Sequence, residues 1–198
     1  MQSAADRPIS IDSPSHLAVE AGLKQFCGRA LLNSVNGKKE SLEIFLPLAK
    51  KYGSAIIALA LDEQGIPQTA DDRLRIAENI VRAAVAAGIS KEDVFVDGLV
   101  MTVGVGIKGC LETLQAIPLI KNQLGVKTIL GISNVSHGMP ERSRLNALYF
   151  KLALSYGLDA AVVDVVDRRI KRVLAGGWKA AGKEKFLREF RAEVERQK

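Results

Sequence analysis

The chain has 198 residues, 47% hydrophobic and 25% charged, a balance that supports one globular domain with a real core. Its formal charge is +6, from 28 basic and 22 acidic residues, with much of the excess after Asp167, which fits an anionic ligand or partner without naming one. Aromatic residues, at 5%, are too few for a stacking platform for single-stranded nucleic acid; no apolar run approaches a membrane span, and no apolar signal core opens the chain, so a cytoplasmic protein with no nucleic-acid or membrane partner is expected.

The first regular signal is a short strand, Ile9 to Asp12, followed by a helical pattern from His16 to Phe26. Ala30 to Asn33 reads as a strand and Leu42 to Tyr52 as a helix stopped at Gly53. The apolar run Ala55 to Leu61 predicts a strand covered on both faces, as parallel sheets require. A polar loop carrying Gly65 and Pro67 leads to a helix from Asp72 to Ala87. Val94 to Asp97 is the next strand; a glycine-bearing loop and a helix from Leu111 to Leu124 follow. Lys127 to Ile132 predicts a strand, Arg142 to Tyr156 a helix, and Ala161 to Val165 the last strand. A helix begins near Asp167, and a charged amphipathic helix runs from Lys183 to Arg196 after the Gly176-Gly177 break. The expected division is a barrel domain over residues 1–175 and a charged C-terminal helix within residues 176–198.

Six strand–helix units in strict alternation predict parallel strands with right-handed crossovers. Asp12, Asn33, Asp97, Asn134 and Asp164 fall at or just past predicted strand ends, and Asp62 follows Leu61. In a βα-barrel such ends converge on one site, whereas in an open sheet they string along an edge, so the pattern favours the barrel. Each residue could also simply cap a turn or helix. Two carboxylates and two amides in one pocket suit a ligand with adjacent N–H donors and a carbonyl. A 2-amino-4-oxopyrimidine has these groups, and guanine and pterin share it; spacing does not choose between them.

The run Gly131-Ile132-Ser133-Asn134-Val135-Ser136-His137-Gly138, with Pro140, Arg142 and Leu145-Asn146, resembles the seventh-strand signature of the pterin-binding corrinoid methyltransferases. That family includes methyltetrahydrofolate:corrinoid/iron–sulfur protein methyltransferase and the folate domain of cobalamin-dependent methionine synthase. Ile11-Asp12-Ser13, Leu32-Asn33-Ser34 with Val35-Asn36, the loop from Gly65-Ile66-Pro67 to Asp72-Arg73, Val96-Asp97 and the closing stretch Phe186 to Arg191 match it in order. The resemblance implies a TIM-type barrel of the dihydropteroate synthase-like kind. It implies a methyltransferase that takes methyltetrahydrofolate as substrate and passes its N5-methyl group to the cobalt of a corrinoid (cobalamin) carried by a partner protein. It implies that Asp97 accepts from the pterin amine and ring N–H, that Asp12 and Asn33 complete recognition of the bicycle, and that Asn134 lies near N5. Ser133, His137 and Arg142 become substrate-binding candidates, with a homodimer expected. The family carries two further βα units before the Asp12 strand, so an incomplete barrel of six units is expected. His137 stands where some relatives have an amide, and so reads as a ligand contact or a proton relay.

Gly104, Gly106 and Gly109 satisfy GxGxxG, but the first glycine lies several residues beyond Asp97 rather than in a tight turn, so a flexible loop over the site is the preferred reading. No DxHxxG, HExxH or GxSxG motif occurs, and Cys27 and Cys110 form no CxxC pair, so no metal is expected on this chain. A dihydropteroate synthase-like enzyme is the alternative, although the last strand lacks the cationic S-x-R-H-like element it needs. A non-catalytic pterin-binding remnant is the other.

Overall fold

The computed structural model describes residues 7–179 and 181–197. The first six residues of the expected barrel domain, and Ala180 and Lys198 of the expected tail, lie outside them. Six strands, β1 (Ser10–Asp12), β2 (Leu31–Asn36), β3 (Ala55–Leu59), β4 (Val94–Asp97), β5 (Lys127–Gly131) and β6 (Ala160–Val162), form one parallel sheet in the order β1-β2-β3-β4-β5-β6. In this sequential order each crossover moves one place in the same direction, which curls the sheet into a barrel wall; a doubly wound sheet would reverse at a switch point. The fold is therefore a half-barrel of TIM type, in which β1 and β6 pair on one side only among the described residues.

The crossovers are α1 (His16–Gln25), α2 (Lys39–Tyr52), α3 (Ala70–Ala86), α4 (Ile107–Leu124) and α5 (Arg142–Ser155); α6 (Arg168–Arg172) and α7 (Lys183–Gln197) follow β6. Their ends follow from local chemistry. Ser15 accepts from Ala18 N–H and Thr69 from Asp72 N–H, satisfying donors that a first turn leaves open. Gly53 and Gly125 close α2 and α4 in the left-handed conformation that a Cβ would penalise.

Strand alternation divides the side chains between two faces. Leu32, Ile56, Ala58, Val94 and Val96 pack outward into a core shared with α1, α2 and α3. Leu130 enters a second core with Leu114, Leu145, Tyr149 and Phe190. Each fully buried Leu, Ile or Phe is worth roughly 1.5–3 kcal/mol. α7 contributes Phe186, Phe190 and Val194 to that second core, and the Phe190 ring stands 5.5 Å from that of Tyr149. The alternate residues Ile57 and Ile129 are 2% and 5% exposed and belong to neither cluster; they floor the concave face.

Three elements depart from the sequence expectation in ways that matter for the site. β2 does not end at Asn33 but continues through a register shift between Asn33 and Val35 to Asn36. β6 stops at Val162, leaving Val165 and Val166 exposed in the following turn. α4 starts at Ile107, so Gly109 is helical rather than in a flexible loop, and a Cβ there would meet Met101 Cβ at 3.0 Å. Close packing, not phosphate binding, accounts for that glycine.

Candidate functional site

The six strand ends point to one rim of the half-barrel. Asp12 closes β1 and lies opposite Asn33, one step along the sheet. Ile11 and Leu32 face the helices, so Asp12 and Asn33 face the concave side. Both line a hollow of about 470 Å³ with Ser13, His16 and Asn36. Asn36 reaches this face because the register shift carries it level with Leu59, which is itself level with Asp97. Among the described residues, neither the Asp12 carboxylate nor the Asn33 amide makes a hydrogen bond within the protein.

Asp97 closes β4, and with Val96 in the outer core its side chain also turns to the concave face. Its carboxyl is shielded, although the residue as a whole is only partly buried. Burial pushes its pKa up to about 6, while the backbone N–H groups of Leu99, at 2.7 Å, and Gly131 pull the other way. Gly131 is the hinge of the next pair. Asn134, in the tight turn Ile132–Ser136 after β5, folds back so that its Nδ2 lies 3.2 Å from where a Gly131 Cβ would stand. Asp97 and Asn134 thus meet around one glycine. They are not part of the Asp12–Asn33 hollow, although they share its face.

The remaining candidates divide between binding surface and scaffold. Arg142 donates from Nε to Ser136 Oγ at 3.1 Å and from Nη2 to the Ser133 carbonyl at 3.0 Å, so it holds the Asn134 turn in shape. Ser133 and Arg142 also line a second hollow of about 330 Å³ with Asn146 and Asp164, where the buried Asn146 Oδ1 has no partner. His137 is exposed, and its carbonyl accepts from Thr102 Oγ1 at 2.7 Å, joining the loops that follow β4 and β5. Asp62 and Asp164 serve their own turns, accepting from Gln64 and Val166 N–H. Among the described residues no group of three or more His, Cys, Asp or Glu could hold a metal ion.

A family profile described as "Pterin binding enzyme" matches residues 1–164. The chain belongs to the pterin-binding enzyme family. It is 32% identical over 169 residues to a methionine synthase of Mycobacterium leprae, covering 79% of this chain and 14% of that one. It is 24% identical over 193 residues to a methylcorrinoid:tetrahydrofolate methyltransferase of Eubacterium limosum, covering 96% of this chain and 71% of that one. Among solved structures, a dihydropteroate synthase from Thermus thermophilus superposes with a TM-score of 0.68 at 23% identity, over 87% of this chain and 70% of that one. A dihydropteroate synthase from Stenotrophomonas maltophilia gives a TM-score of 0.70 at 18% identity, over 90% and 72%. The structural matches establish the shared fold. The chain spans only about one seventh of the length of the methionine synthases it matches.

Two further residues join these candidates although the strand-end pattern left them aside. His16 and Asn36 line the hollow beside Asp12. His16 had a signal, since it opens the helix straight after β1 and so must stand at the rim. Asn36 stood in the family match Val35-Asn36 but not in the strand pattern, because a strand expected to end at Asn33 leaves it in a loop. No helix of the described residues is long and apolar enough to cross a membrane.

Proposed function

We propose that this chain binds the pterin of methyltetrahydrofolate and takes part in transferring the N5-methyl group between that substrate and the cobalt of a corrinoid protein. The observation that carries this reading is the junction at Gly131, where a shielded carboxyl and a primary amide meet on the concave rim. Asp97, as carboxylate, accepts the pterin's exocyclic amine and ring N–H as parallel hydrogen bonds. Asp12 and Asn33, whose side chains have no hydrogen-bond partner among the described residues, complete recognition of the bicycle. Asn134 sits beside N5. A tertiary amine is a poor leaving group unless positive charge builds at nitrogen. An amide whose contact tightens as the methyl bond breaks lowers the barrier without raising ground-state affinity. An amide is no general acid, so the proton arrives through water. Arg142 keeps the turn rigid while this happens, and the exposed His137, which follows the turn, serves as a ligand contact.

The name of one relative, a methylcorrinoid:tetrahydrofolate methyltransferase, describes transfer from corrinoid to folate, so the proposal covers both directions. The partner's methylation state sets the direction. The corrinoid belongs to a separate protein or domain, and the working unit is a homodimer in the cytoplasm. The synthase reading is less favoured, because the last strand and its turn, Ala161 to Asp167, carry no S-x-R-H-like element. The test is calorimetry with methyltetrahydrofolate, then spectroscopy of a reduced corrinoid protein mixed with enzyme and substrate. Saturable binding with formation of methyl-cobalt absorbance is expected. Binding without any spectral change would leave a pterin-binding remnant, and no binding would end the proposal.

A further inference from the structure

Arg73 is a charged residue with 0% exposure, on the inward side of α3. No carboxylate forms an ion pair with it among the described residues. Its Nε donates to the Gly98 carbonyl at 2.7 Å and its Nη1 to the Thr69 carbonyl at 3.1 Å, while Nη2 is buried without a partner. Burying a guanidinium in this way works against stability. An apolar side chain on this face of α3 would pack at lower cost.

The peptide group that Arg73 grips is the informative one. Gly98 supplies the carbonyl, and Leu99, across the same peptide bond, supplies the N–H that reaches Asp97 Oδ1 at 2.7 Å. Leu99 has φ 62°, the only positive φ outside glycine among the described residues. A leucine held there is strained and persists only where its surroundings over-determine it. Three hydrogen bonds do so. Arg73 fixes the carbonyl before Leu99, Asp97 accepts its N–H, and Thr113 Oγ1 donates to its own carbonyl at 2.9 Å.

We propose that Arg73 is a positioning residue for pterin recognition, acting through the Gly98–Leu99 peptide to aim and strengthen the N–H that holds Asp97 in place as a carboxylate. A cation on the carbonyl end of a peptide polarises it and makes the N–H at the other end a better donor. Burial alone drives Asp97 toward the neutral acid, and that N–H is one of two backbone groups opposing it. Without Arg73 more of Asp97 is protonated near neutrality, and a protonated acid cannot accept two parallel N–H bonds. The proposal rests on the assignment of Asp97 to pterin recognition. Its core, the coupling of Arg73 to Asp97, is measurable in the ligand-free protein.

The charged and titratable groups around the cluster are Asp72 on α3, Cys110 and Glu112 on α4, and Tyr149 on α5. Burial holds Cys110 up to about 12 and Tyr149 well above its usual value, so neither titrates near pH 6. In the 198-residue chain, NMR of the Asp97 carboxyl carbon and the Leu99 amide should show one shared midpoint near pH 6. Arg73→Met should raise the Asp97 midpoint, move the Leu99 amide upfield and weaken methyltetrahydrofolate binding about tenfold at pH 7, with recovery at higher pH. Arg73→Lys, which keeps the cation, should restore part of each effect. A folded Arg73→Met protein whose Asp97 midpoint is unchanged would overturn the proposal. If Arg73→Met does not fold, a Leu99 amide in the wild-type chain that ignores the Asp97 titration overturns it equally. Failure of methyltetrahydrofolate to bind the wild-type chain would instead remove the pterin reading and leave the titration to decide the role of Arg73.

Discussion

The rim of the half-barrel has two unlike regions. Where β4 and β5 end, Asp97 accepts the backbone N–H groups of Leu99 and Gly131, Asn134 folds back beside Gly131, and a buried guanidinium stands behind the Gly98–Leu99 peptide. Beside the end of β1, Asp12 and Asn33 line an open hollow, and among the described residues their side chains have no hydrogen-bond partner within the protein. The first region is organised before a ligand arrives, at a cost in stability; the second keeps its hydrogen-bonding capacity for the ligand. Preorganisation belongs where charge changes during a reaction, and adaptable contacts suffice where a ring is merely held.

The contrast can be broken most decisively at Asn134. Asn134→Ala should slow methyl transfer about 10²- to 10³-fold while methyltetrahydrofolate binding weakens less than about tenfold; equal losses in rapid-mixing kinetics and calorimetry would contradict the N5 role. Next in size, Asp97→Asn should weaken binding about 30-fold, against about 3- to 10-fold for Asn33→Ala, because it puts a donor where an acceptor is needed in a shielded place. Gly131→Ala should reproduce part of the Asn134→Ala rate loss, since its methyl group would stand 3.2 Å from the Asn134 Nδ2 and push the amide from its place. A wild-type transfer rate in that variant would show that the amide has room elsewhere.

Stability gives a smaller effect with a defined sign. The folded-state pKa of Asp97 is raised from 3.8 to about 6, so its contribution is present below about pH 4 and lost as pH rises through 6. Denaturant unfolding of the ligand-free wild-type chain should lose about 2 kcal/mol or less from this group between pH 4 and pH 7. Asp97→Asn should flatten that slope. Smallest of all, Asp12→Asn should leave unfolding within about 0.5 kcal/mol of wild type across the same range, because the exposed rim sacrifices nothing to hold it.

The strand-end residues were legible in the sequence because a parallel strand is a short apolar run, and the polar residue that stops it stands out. Asp97 follows Val94-Phe95-Val96, and Asn134 comes just after the Lys127 to Ile132 run, past Ser133. Asn36 was hidden by a register shift that apolar patterning does not report. Arg73 was hidden because Asp71-Asp72-Arg73 reads as the solvated first turn of a helix, and only the packing of α3 against the loop after β4 shows which way the guanidinium turns. The start of α4 was misplaced because Gly106 and Gly109 look like loop residues, while one caps the helix and the other admits Met101.

The buried thiol behind this rim has a practical consequence. Cys110 donates to the Met101 carbonyl and is 0% exposed, while Cys27 is exposed. A thiol-selective reagent at mild alkaline pH will therefore label the two positions on separate clocks. Cys27 reports ordinary solvent access, and Cys110 is labelled only when α4 lifts from its loop. The molecule thus carries its own stopwatch for the opening of the wall that supports Asp97.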